Sequence, residues 1–194
     1  MGRAGSATRT AEQSEIAKFW YEDSPLGWNR IAVAAIERAN VDAHDAARVL
    51  ALVNFAMADG FIAGFDGKYH FRFWRPITAI RGAATDGNSS TDPDSSWEPF
   101  MVTPPVPDYP STHTVLGAAA AEALISRFGD GMAFTATSVT LPGVSRQFRS
   151  FSEAATENGL SRIYAGIHFR RAVTDGYQLG RDVGRKVAKM LPRL

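Results

Sequence analysis

The stretch Tyr109-Pro110-Ser111-Thr112-His113 stands directly before an alanine-rich run, so a hydroxyl and an imidazole arrive where a helix would begin. A helix start leaves backbone N–H groups unpaired and carries the positive end of the macrodipole, which suits it to an anion. Ser111 alone needs no such reading, because serine before an apolar run is first a capping signal. His113 is what capping leaves unexplained. Two further stretches carry the same character. In KYHFRFWRP, Lys68 and Arg75 lie seven residues apart, a spacing of two helical turns that would aim both cations from one face. In SRIYAGIH, Arg162 precedes His168 by six residues in an apolar setting. Taken singly, each has an ordinary structural account. Together, Lys68, Arg75, Arg162, Ser111, His113 and His168 form the donor set that a tetrahedral or trigonal-bipyramidal oxyanion requires.

The elements that must carry these groups read as helices. Residues 11–22 form a first amphipathic segment, and Ser24-Pro25 gives a cap and an N-terminal proline for a second helix running to Asn40. A third, long helix begins near Asp42, with Ala46, Val49, Leu50, Val53, Met57 and Phe61 at three- and four-residue spacing. Pro76 ends or kinks what precedes it, with a short helical turn after it. Residues 84–110 are rich in Pro, Gly, Ser and Asp without a period and read as a long surface loop, a frequent site of function. Helices are expected over 111–128, 152–169 and 171–191, and FTATSVTLPG reads as a short β-hairpin arm. Gly176, Gly180 and Gly184 recur every fourth residue and leave a groove for another helix. The fold class is all-α, a bundle whose facing helices build a site in the core.

Composition limits what the anion can be. The chain has 194 residues, a formal net charge of +1 with both signs interleaved, and no cysteine. That balance gives no broad basic face for a nucleic acid and excludes thiol chemistry and Cys-ligated metals. The apolar run VLALVNFAMADGFIAGF is broken by Asn54 and Asp59, so it reads as falling short of a membrane span. The first residues lack an apolar signal core, and the expectation is a soluble, cytoplasmic protein without a signal peptide.

The three stretches, in this order, resemble the signature of the type 2 phosphatidic acid phosphatase superfamily: Lys68 with Arg75-Pro76, then Pro110-Ser111-Thr112-His113, then Ser161-Arg162 with His168. Within it, KYHFRFWRPITAI, TPPVPDYPSTHT and SRIYAGIHFR look most like the vanadium-dependent haloperoxidases. The resemblance covers residues 19–194 as one helical domain and leaves 1–18 as a flexible or partial N-terminal segment. It implies a vanadate cofactor with His168 as the vanadium ligand. Lys68, Arg75, Arg162, the Ser111 hydroxyl and the Thr112 amide would bind its oxygens, His113 would act as acid/base, and Asp23 would support His113. Hydrogen peroxide and a halide are the implied substrates. Phe65 and Val106 fall near the halide position, and the small Val106 favours bromide or iodide over chloride.

The same motifs imply an alternative, an acid phosphatase that cleaves soluble phosphomonoesters through a phosphohistidine on His168, with His113 protonating the leaving oxygen. Two positions depart from the pattern. Thr112 stands where the family has glycine, and Ala172 stands where many phosphatases place the Asp that orients the histidine, with Asp175 one turn later. These departures keep open a third reading, a helical domain without turnover. Exposed helix faces would make a homo-oligomer plausible, and His44 and His70 have no role in any motif.

Overall fold

The computed structural model describes residues 1–190. Thr10 starts α1 (Ala11–Phe19) with a reciprocal capping box, its hydroxyl on the Gln13 N–H and the Gln13 side chain on the Thr10 N–H. The α2 helix (Ser24–Ala39) is capped in position by Asp23 rather than Ser24. Ser24 is instead the first helical residue, and its hydroxyl is engaged elsewhere. The 29-residue α3 (Ala43–Phe71) starts from Asp42, whose carboxylate accepts from the Asp45 N–H. It stops where Arg72 turns left-handed at φ 49°. A short α4 (Pro76–Arg81) and a single 3₁₀ turn (Ala83–Thr85) lead into the expected long loop.

The central helix is α5 (Thr112–Phe128), buried on nearly every side from Thr112 to Leu124. A helix that is apolar all round belongs inside a bundle, and its alanines let neighbours approach closely. The hairpin pairs β1 (Phe134–Thr137) with β2 (Ser145–Phe148), Phe134 opposite Phe148, so its second strand lies beyond the stretch in which the sequence placed the arm. Then come α6 (Phe151–Tyr164) and α7 (Arg170–Met190); the end expected at Leu191 falls outside the described residues. The core gathers Phe19, Trp20, Trp28, Phe148 and Phe151 at one end of the bundle, with Trp20 stacked on Trp28.

Three expectations meet different facts. The helix predicted over 152–169 breaks at Tyr164, because the chain turns through Gly166 at φ 77° with the Gly2 carbonyl against it. The segment 1–18, read as flexible or partial, is tied to the body: Ala4 N–H donates to Glu98, Phe100 N–H to Gly2, and Ile16 and Ala17 are buried. By length and composition alone, α3 together with α4 is apolar enough to cross a membrane, so Asn54 and Asp59 do not interrupt it as the sequence suggested. Its inner face, with Val49, Leu52, Val53, Ala56 and Met57, packs into the core as that of a bundle helix does.

The α7 glycines do what their spacing implied. A Cβ at Gly180 would stand 2.2 Å from the Val115 carbonyl, and one at Gly184 would stand 2.6 Å from the Ala119 carbonyl. Backbone lies against backbone, so a methyl group can be accommodated only by moving a helix. Gly180→Ala should therefore cost about 1–3 kcal/mol. That is a fall of several degrees in melting temperature by thermal denaturation, whereas Gly131→Ala, which meets open space, should leave the melt unchanged.

Candidate oxyanion site

Four separate pieces of chain build one cavity of about 640 Å³. Lys68 comes from the last turn of α3, and Arg75 from the position preceding α4. Thr112 and His113 come from the first turn of α5, Arg162 from the last turn of α6, and His168 from the turn before α7. All six line the cavity, with Leu26, Phe61, Phe65, Val106 and Leu116 forming an apolar wall. The helix ends at Phe71, so Lys68 and Arg75 do not share a helix face as their spacing suggested. They meet because the left-handed turn at Arg72 sends the chain back. Ser111 is fully buried behind this wall; its N–H bonds the Ala172 carbonyl and its oxygen accepts from the Thr114 hydroxyl. Its side chain does not cap α5, so it leaves the first-turn amides of that helix without a side-chain acceptor.

Lys68 is 2% exposed and donates to the carbonyls of Pro107, Asp108 and Pro110 at 2.6, 3.1 and 2.8 Å. All three ammonium hydrogens are thus spent on holding the loop, and its charge rather than its hydrogens reaches the cavity. Arg75 donates Nε to Val106 O and Nη1 to both Ile167 O and His168 Nε2, the last at 2.9 Å. A guanidinium only donates, so Nε2 accepts and the His168 proton sits on Nδ1. Nδ1 lies 2.9 Å from Asp108 Oδ1, at an angle outside hydrogen-bond geometry. Arg162, 6% exposed, makes one long bond of 3.5 Å to Trp20 O, and its Nε has no partner.

These neighbours set the protonation states. Burial, then the charge of Arg75, pulls Lys68 down to about 7 against the pull of Asp108. Burial pushes Asp108 up to about 7, with Arg75 and Lys68 opposing. Burial lowers Arg75 and Arg162 to about 10, still charged at neutral pH. His168 is driven well below the ordinary imidazole value by burial, then by Arg75, Lys68 and Arg162, which keeps it neutral. Burial and Arg162 do the same to His113.

His113 accepts at Nε2 from Asn158 Nδ2 at 2.9 Å, which leaves the proton on Nδ1 facing the Ser24 hydroxyl at 3.0 Å. The expected partner Asp23 lines the cavity, but the group on His113 Nδ1 is Ser24, because α2 begins one residue earlier than the cap reading placed it. Thr112, the β-branched residue in the glycine position, sits in the helix with an ordinary negative φ, the left-handed non-glycine residues being Asn40 and Arg72. Asp175 pairs with Arg171 and Tyr109, away from His168, and Ala172 offers only its backbone. The carboxylate at His168 is Asp108. Sequence reasoning missed it, along with Ser24 and Asn158. An Asp between two prolines reads as a turn residue, and nothing in its spacing reports that it is 1% exposed.

Residues 48–194 match the family described as the VCPO second helical-bundle domain. The chain is 28% identical over 187 residues to a vanadium chloroperoxidase of Curvularia inaequalis, covering 70% of this chain and 29% of that protein. It superposes at a TM-score of 0.85 on the first bacterial vanadium-dependent iodoperoxidase, with 36% identity over 95% of this chain and 45% of the other. A bacterial vanadium-dependent chloroperoxidase in its holo form shares the fold, at a TM-score of 0.80 and 22% identity, with 45% of its chain covered. The chain thus spans less than half the length of each of these proteins.

The site should bind a tetrahedral anion more tightly at low pH. As pH rises through about 7, Lys68 loses its charge and Asp108 gains one, so both changes make the cradle less positive. Sulfate keeps its own charge over this range. Calorimetric titration should show sulfate binding weaken about tenfold or more between about pH 6 and about pH 8.5. Constant or rising affinity would refute this.

Proposed function

The chain belongs to the family of the VCPO second helical-bundle domain, and from that premise we propose that it is a haloperoxidase whose cavity holds vanadate. In this reading it oxidises halide with hydrogen peroxide, iodide or bromide in preference to chloride. The observation that carries it is the buried surplus of positive charge. Lys68, Arg75 and Arg162 face one cavity, Asp108 is the carboxylate that opposes Lys68 and Arg75, Glu22 on the lining is paired with Arg30, and the Arg162 Nε has no hydrogen-bond partner among the described residues. A buried cation short of partners is costly, so the arrangement favours an anion in the cavity.

The residues fit vanadate. His168 is neutral and offers Nε2 as the vanadium ligand, its other nitrogen turned to Asp108. Arg162 and Arg75 would donate to the vanadate oxygens, Arg75 by giving up its bond to Nε2. The open amides at the start of α5 would add neutral donors, while Ser111, expected among them, is fully buried and off the cavity lining. Bound vanadate supplies a fully oxidised Lewis acid that polarises peroxide toward attack by halide. His113 would hold and return the proton. Burial and Arg162 now disfavour its charged form, and an anionic guest would offset Arg162 and raise its basicity. Asp23, at the cavity wall, would act on the rim rather than on the ring. The apolar wall of Phe61, Phe65, Val106 and Leu116 suits a large, weakly hydrated halide, and the 36% identity to an iodoperoxidase supports the same order.

Incubation with orthovanadate, followed by peroxide and iodide or bromide, should give halide oxidation measured spectrophotometrically. His168→Ala should abolish it, and His44→Ala, at an exposed position away from the cavity, should not. Hydrolysis of p-nitrophenyl phosphate blocked by vanadate, without halide oxidation, would replace this function with a phosphatase; loss in both variants would place the site elsewhere.

A further inference from the structure

We propose that the Thr112 side-chain hydroxyl is a direct donor to the anion in this cavity, an inference that rests on the oxyanion reading above. Thr112 lines the cavity beside Lys68, Arg75 and Arg162, yet is only 7% exposed. Its Oγ1 is buried and has no hydrogen-bond partner in the protein. A buried hydroxyl left unpaired is costly, and few native structures retain one without a use. Inside a helix a threonine hydroxyl can bond the carbonyl three or four residues back, but Thr112 is the first residue of α5 and has no helical carbonyl behind it.

The fold makes room for this side chain specifically. Opposite it, α3 carries Gly64, where an added Cβ would lie 2.9 Å from Thr112 Oγ1, 3.0 Å from Cγ2 and 3.3 Å from Cβ. Gly64 is helical, so its lack of a side chain serves the approach rather than a special backbone angle. The neighbouring hydroxyl, Ser111, is at 0% exposure and already accepts from Thr114 Oγ1. Of the two hydroxyls, that of Thr112 is the unpaired one and belongs to a residue of the cavity lining, and with its N–H at the first position of α5 the residue can offer the guest two donors from one place.

Three proteins decide the matter: the wild type, Thr112→Val, which keeps shape and removes the hydroxyl, and Thr112→Ser, which restores it. Each is titrated with orthovanadate by calorimetry and melted with and without it. Thr112→Val should bind about 10- to 100-fold more weakly, the loss of one hydrogen bond to a charged group. Without anion it should melt at or above the wild type, because a methyl replaces an unsatisfied hydroxyl. Thr112→Ser should recover most of the affinity. Wild-type affinity in Thr112→Val, a lower melt of that variant without anion, or failure of Thr112→Ser to recover binding would each overturn the assignment. No orthovanadate binding by the wild type would instead overturn the oxyanion reading of the cavity itself.

Discussion

Like charges packed inside a protein repel strongly. Two unit charges 4 Å apart interact by about 4 kcal/mol even at an effective dielectric constant near 20. This chain nevertheless buries Lys68, Arg75 and Arg162 around one space. Much of the surrounding architecture serves to hold that charge. Three loop carbonyls take the Lys68 hydrogens, two more take Arg75, and Asp108 sits behind both. Carbonyl oxygens orient a cation without neutralising it, so the field remains directed at the cavity. The loop 84–110, formless as a sequence, is ordered at its end by this bonding.

The same field governs the imidazoles. A histidine near three cations stays neutral, and a neutral ring keeps one of its two nitrogens as an acceptor. His168 has Arg75 on Nε2 and Asp108 beside Nδ1, while His113 has Asn158 and Ser24. The cradle is therefore a charged floor with two uncharged nitrogen bases set into it. That combination suits an oxyanion that must be both held and protonated.

Helix packing is what brings the parts into register. With no Cβ at Gly176, Gly180 and Gly184, α7 lies against the backbone of α5, and the Ser111 N–H meets the Ala172 carbonyl. This contact fixes the start of α5 relative to the turn that carries His168. Gly64 gives Thr112 its room on the opposite side. Small residues in these helices thus set distances in the site, although none of them touches a guest.

The sequence by itself determined the helical class, the groove on α7 and the basic and imidazole groups that the fold brings to one cavity, because periodicity, proline and the Lys-Arg, Ser-His and Arg-His stretches are local signals. It also carried the family, since the spacing within each motif is preserved even where Thr112 and Ala172 depart from it. Only the tertiary structure decided how the residues meet. Arg75 reaches Lys68 through a reversal at Arg72 rather than along a helix face, Ser24 takes the place on His113 read for Asp23, and Asp108 occupies the place at His168 sought at Ala172 or Asp175. These outcomes depend on which buried groups lack partners once separate segments have packed, a property of three-dimensional proximity that spacing along the chain does not encode.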